Sequence, residues 1–181
     1  MKGELGEAEK EFAEATRLSP ESGLSPVAMG LVLIQMEKVS EAIDVLRRQQ
    51  SKTPNDPYVL WFLGEALNRA GIKPDSEAER EAMSALGVSI RLNPSLSQPR
   101  ALLGKLLLRR GEVDRACEQL EKAVELDPDD LTATYQLAQA LQKKGQTARA
   151  RELFSKVEKA KIADRDLTRQ NLLRILREQS K

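Results

Sequence analysis

Apolar positions along this chain fall into a unit that recurs four times. Met29, Leu63, Leu103 and Leu137 each precede a minimal side chain, Gly30, Gly64, Gly104 or Ala138, and Leu33, Leu67, Leu107 or Leu141 follows three residues later. These offsets share one face of a helix. The small residue in each unit marks a place where two backbones approach. A second pattern alternates with the first, an alanine with a bulky apolar residue four later: Ala8 and Phe12, Ala42 and Leu46, Ala82 and Leu86, Ala116 and Leu120, Ala150 and Phe154. Such i, i+4 pairs stack on one stripe of a second helix.

Prolines keep the same time. Pro20, Pro54, Pro94 and Pro128 stand 34, 40 and 34 residues apart, and each small residue comes ten residues after one of them. A period in this range marks an array of helical repeats. Helix pairs are predicted near 23–52, 57–92, 97–126 and 131–161, after one unpaired second helix at about 5–18. Gly71, Gly111 and Gly145 follow the predicted first helices, where a left-handed C-terminal residue is least costly for glycine. Each ladder proline stands where a second helix must end, since proline lacks the amide hydrogen and clashes with the preceding turn.

This arrangement of small, leucine, alanine, aromatic and proline positions resembles the tetratricopeptide repeat, a 34-residue helix-turn-helix unit. The resemblance covers roughly the whole chain. It implies an all-α fold, a right-handed superhelical solenoid of antiparallel helix pairs forming one elongated domain over residues 1–181. Within it a half repeat at 1–20 would precede four repeats at 23–54, 57–94, 97–128 and 131–162, and a capping helix at 164–181 would follow. The apolar stripe Leu167, Leu172, Ile175 and Leu176 suits such a cap, which repeat arrays need on their last exposed face.

Two departures carry information. The aromatic that usually opens the first helix is replaced by Pro26, Leu60, Arg100 and Thr134, while Trp61 lies one residue further on and is expected to point elsewhere. The second interval, from Pro54 to Pro94, is six residues too long, with the surplus around Ile72-Lys73-Pro74-Asp75-Ser76. Ser76 and Glu79 have capping-box spacing, so the second helix is expected to start early and add about a turn.

Composition excludes several classes of function. The 181 residues are 31% charged and only 3% aromatic, with a net charge of +1, which gives no reason to expect nucleic acid as a partner. The eight basic residues in 156–181 are interspersed with four acidic ones and lack accompanying aromatics, so they read as a solvated face. The most apolar stretch, Val27 to Met36, is far too short to cross a bilayer, and no signal-peptide pattern opens the chain. The reading is a soluble, cytoplasmic protein without membrane insertion, unless a targeting segment precedes Met1. Cys117, the only cysteine, adjoins the packing residue Ala116 and reads as a buried structural thiol.

There is no histidine, which removes the usual general base, the usual triads and most zinc sites. No phosphate-binding, dinucleotide-binding or nucleophile-elbow sequence occurs. Asp127, Asp129 and Asp130 surround a turn and suit helix capping; a calcium loop would need more ligands at other spacings. No catalytic residue, metal ligand or cofactor is therefore assigned, and the chain reads as a binding protein.

The resemblance implies a concave groove lined by the first helices, receiving an extended or helical segment of another protein. Its phase nominates Leu24, Val27, Leu31 and Ile34, then Tyr58, Trp61, Glu65, Asn68 and Arg69. The later repeats add Gln98, Ala101, Lys105, Leu108 and Arg109, then Thr132, Tyr135, Gln139, Gln142 and Lys143. Aromatic anchors with basic neighbours suit an apolar segment bearing carboxylates. The Lys, Asn and Arg set by which related chaperone adaptors hold a carboxylate terminus is missing; its places hold Val27 and Leu31, Phe62, Gln98 and Leu102. An alternative starts from the first complete helix, Pro26 to Glu37, which is apolar almost all round and needs cover on more than one side. On that reading the chain is a structural assembly module or part of a longer repeat protein acting through its end faces, with a homodimer as one form.

Overall fold

The computed structural model describes the backbone from Leu24 to Gln179, and side chains from Pro26 to Asp166 and at Ile175. Eight helices and no strand occur among these residues: α1 Leu24–Gln35, α2 Val39–Lys52, α3 Pro57–Arg69, α4 Glu77–Leu92, α5 Ser97–Arg109, α6 Val113–Leu126, α7 Leu131–Lys143 and α8 Thr147–Gln179. Each helix packs on its neighbours in sequence, and first helices also touch the first helices of adjacent pairs. The result is an all-α helical repeat solenoid of four described pairs. The half repeat anticipated at 1–20 lies outside the described residues.

Helix limits follow from local chemistry. α2, α4 and α6 each stop two residues before Pro54, Pro94 and Pro128. Asp56 caps α3 by accepting from the amides of Tyr58 and Val59, with Pro57 at the first helical position, and Asp130 caps α7 through Thr132 and Ala133. After α5 the chain turns at Gly111, whose φ is 76°, and the Glu112 amide reaches back to the Leu107 carbonyl at 2.9 Å. The turn after α1 makes the same closure, Lys38 to Leu33 at 2.9 Å, although its left-handed residue is Glu37 at φ 62°.

The small-residue ladder sets the helix spacing. A Cβ added at Gly30, Gly64 or Gly104 would lie 2.8, 2.7 or 2.5 Å from the nearest side-chain carbon of Leu46, Leu86 or Leu120. Each leucine is the bulky member of its second-helix pair and is fully buried. In the fourth unit Ala138 supplies a methyl group, and Phe154 replaces leucine. One buried cluster runs from Leu33 and Ile34 to Leu106, a second from Leu107 to Ala150. Met83 and Leu103 pack against both, so the core continues along the array.

Two departures from the sequence expectations have physical causes. No break separates the fourth repeat from a capping helix: α8 runs unbroken over 33 residues. Residues 155–166 contain neither glycine nor proline and are mostly good helix formers, so nothing stops the helix. The stripe of Leu167, Leu172 and Leu176 lies beyond the described side chains, and Ile175 is exposed. The six-residue surplus is mainly loop. α4 has 16 residues against 14 in α2 and α6, while the turn before it covers 70–76 against 110–112 in the next pair.

The surplus is held in place by charge. Ser76 Oγ accepts from the Glu79 amide at 3.2 Å, as the capping box requires, while Glu79 Oε2 accepts from the Asp75 amide at 2.7 Å. Glu79 is fully buried and also receives Arg109 at 2.7 Å and Arg110 at 3.4 Å. Burial alone would push its carboxyl up. The Arg109 hydrogen bond, the Asp75 amide and the two guanidinium charges outweigh that and hold it below the usual carboxylate range.

Candidate functional site

The first helices of all four pairs meet around one cavity of about 490 Å³. α1 contributes Leu31, Ile34 and Gln35; α3 contributes Trp61, Phe62, Glu65, Asn68 and Arg69. From α5 come Gln98, Ala101, Leu102 and Lys105, and from the cap and first half of α7 come Asp130, Thr132 and Gln136. Repetition explains this convergence, since equivalent faces of successive first helices turn the same way.

Its apolar end is built on α3. Trp61 lies stacked on Phe62 with ring centroids 4.5 Å apart and planes inclined by 20°, and Leu31 offers 37% of its surface nearby on α1. Trp61 thus faces the cavity, while the places usually taken by an opening aromatic are buried, with Leu60 at 2% and Thr134 at 0% exposure. Arg100 occupies a third such place; its guanidinium donates to the Pro94 carbonyl at 3.1 Å and to Gln119 at 3.3 Å. Ile34 is 1% exposed and belongs to the cavity floor and the core.

Its polar part is sparsely committed. Arg69 is bound to Glu65 at 2.7 Å, so those charges largely cancel, and the Asp130 carboxylate is occupied by the α7 amides. Lys105 is exposed and has no ion pair among the described residues. It is the uncommitted cation of the cavity wall.

Several residues nominated from repeat phase stand elsewhere. Tyr58 is exposed with its ring 6.5 Å from Trp61, beside the cavity and not in its lining. Leu108 packs against the second core cluster. Arg109 is bound to Glu79 on the preceding pair. Tyr135 packs edge-on against Phe154 at 5.4 Å, with Lys161 Nζ 5.7 Å from its ring centre. Gln139 is half-buried and Lys143 exposed, both outside the cavity lining, as are Val27 and Gln142; the Leu24 side chain is outside those described.

The phase did not nominate Gln35, Asp130 and Gln136, and it brought in Phe62 and Leu102 only as places of the missing clamp. Three of these hold one repeat position, two residues before Gly64, Gly104 and Ala138. That shared offset was the available signal.

A second cavity, of about 540 Å³, lies on the first pair and is lined by Pro26 and Met29 of α1 and by Val45, Arg48, Gln49, Ser51 and Lys52 of α2. Among the described residues no group of three His, Cys, Asp or Glu side chains could hold a metal ion, and no helix is long and apolar enough to cross a membrane. Cys117 is buried, and burial pushes its thiol up.

The comparisons agree with this architecture. A family model described as tetratricopeptide repeat matches residues 107–165. Cellulose synthase 1 operon protein C of Komagataeibacter xylinus is 27% identical over 164 residues, which is 86% of this chain and 12% of that protein, so the chain spans about an eighth of its relative's length. Among solved structures, TTC0263, a thermophilic TPR protein of Thermus thermophilus, superposes with a TM-score of 0.72 at 20% identity, covering 93% of this chain and 89% of the other. YrrB, a TPR protein with an unusual peptide-binding site, gives 0.64 at 22% identity over 86% and 77% of the two chains. Residues 107–165 thus match the tetratricopeptide repeat model, and the same helix-pair unit continues through the described residues before them.

Proposed function

We propose that the chain is a non-enzymatic scaffold whose concave cavity receives a short segment of a partner protein. The tetratricopeptide repeat fold is a protein-interaction scaffold, and YrrB has a peptide-binding site. The observation that carries the reading here is the convergence of four first helices on one cavity with an aromatic end and an uncommitted cation. A bulky apolar side chain of the partner would lie against Leu31, Trp61 and Phe62, where desolvation supplies most of the affinity. An acidic side chain would meet Lys105, which adds selectivity and association rate.

A random 12-residue peptide library displayed against the full chain tests this. Selected peptides should be apolar and acidic. Trp61→Ala should weaken them about 10- to 100-fold, the range of an anchoring aromatic, and Lys105→Glu should select against acidic residues. Peptides that bind Trp61→Ala as tightly as the parent, or no selectable peptides, would overturn the cavity reading.

A second reading, assembly through the end faces, is supported by the cavity on the first pair, whose apolar part is formed by Pro26, Met29 and Val45. It predicts a concentration-dependent mass in light scattering that Val45→Glu abolishes. A constant monomer mass at high concentration would exclude the homodimer.

A further inference from the structure

We infer that Gln136 is a specificity-determining residue of the concave cavity, accepting a hydrogen bond from a backbone N–H of the bound segment. The inference rests on the reading of that cavity as a peptide site. Two residues before the small residue of each repeat the chain carries Ala28, Phe62, Leu102 and Gln136. Three of these are apolar, as suits a position squeezed between neighbouring first helices. Phe62 packs against the first core cluster, and Leu102, 8% exposed, belongs to it. In the fourth repeat an amide takes the apolar slot.

That amide is not satisfied by the fold. Gln136 Oε1 is buried, and among the described residues no donor reaches it. Buried side-chain acceptors are nearly always bonded, so an orphan at a register occupied elsewhere by apolar groups needs a separate reason. Methionine there would have nearly the same shape without the desolvation penalty. The side chain also lines the cavity, together with Phe62 and Leu102 from the same register. Rotation about its broad terminal torsion brings an amide atom to a guest in the cavity without moving α7. Asp130, the nearest acceptor in sequence, already holds the Thr132 and Ala133 amides. Gln136 thus offers a buried, unpartnered acceptor to a segment that brings an N–H into the groove, where Gln35, Asn68 and Gln98 are more open to water.

Two measurements on the full chain separate this role from a structural one, using peptides selected as above. Gln136→Met should leave the melting temperature unchanged or raise it, yet weaken the selected peptides by about tenfold, equal to about 1.4 kcal/mol. In a peptide scanned by single N-methylation, one backbone position should lose affinity for the parent chain and lose none for Gln136→Met. A drop in melting temperature in Gln136→Met with binding unaffected would assign the residue to folding and overturn the inference. Trp61-dependent peptides that ignore Gln136→Met would overturn it while leaving the cavity reading intact. If no peptide depends on Trp61, both fall.

Discussion

Replacing Glu79 with alanine is expected to destabilise the protein by about 2–3 kcal/mol, a large share of the 5–15 kcal/mol that holds an ordinary domain together. The carboxylate is fully buried and serves three partners from two repeats, the Asp75 amide, Arg109 and Arg110. Its loss unties the extended loop from the start of α4 and α4 from the end of α5. A wholly buried pair would cost about 3–5 kcal/mol to break. The value is lower here because the arginines are 33% and 27% exposed and recover water once released. Urea unfolding at neutral pH measures the loss, and a midpoint equal to the parent's would show that the cluster contributes nothing.

Glu79→Gln preserves the side-chain shape and one acceptor, so its smaller loss reports mainly the charge. Because the folded carboxyl is held below its ordinary value, the charge contribution is complete above the unfolded pKa of about 4.3 and disappears as pH falls through the folded one. The stability difference between parent and Glu79→Gln should therefore be constant from pH 7 to about pH 5 and shrink below pH 4. Glu112, held down by Arg110 and Arg115, titrates in the same acid range but is present in both proteins, so it largely cancels. A difference that grows with acidification would reverse the assignment.

The repeat was legible because each of its signals has a short-range cause. A proline two residues beyond a second helix and a glycine beyond a first one act through the backbone of their own turn. The Gly104 and Leu120 match is almost as local, since it joins neighbours within one pair. Cavity membership depends on something else, the curvature that successive pairs accumulate, and on partners far apart in sequence. Arg109 has the right phase for the groove, yet Glu79, thirty residues earlier, draws it away. Phe62 and Leu102 serve the core and, with Gln136 of the same register, also line the cavity. Continuation of α8 past residue 162 was readable from the absence of any glycine or proline; a period imposed on the sequence suggested a stop that no residue there enforces.

Gly104→Val tests the closest contact of the array and should cost about 2–3 kcal/mol. Even the first added carbon would lie 2.5 Å from Leu120 Cγ and 2.9 Å from its Cδ2, and Leu120 is fully buried between α5 and α6. The better helix propensity of a non-glycine residue returns less than about 1 kcal/mol, so the clash decides the sign. Leu120→Ala alone should cost about 2–5 kcal/mol by leaving a cavity. Combining the two places valine's methyl groups in the space leucine vacated. The double variant should therefore be at least about 1 kcal/mol more stable than the summed single losses require, because contacting residues do not act independently. The fourth pair already accommodates a methyl at this position, Ala138, where the bulky partner is Phe154, packed edge-on against Tyr135. Strict additivity of the two substitutions in urea unfolding would mean that they act on different parts of the fold, and that the glycine ladder does not set the distance between paired helices.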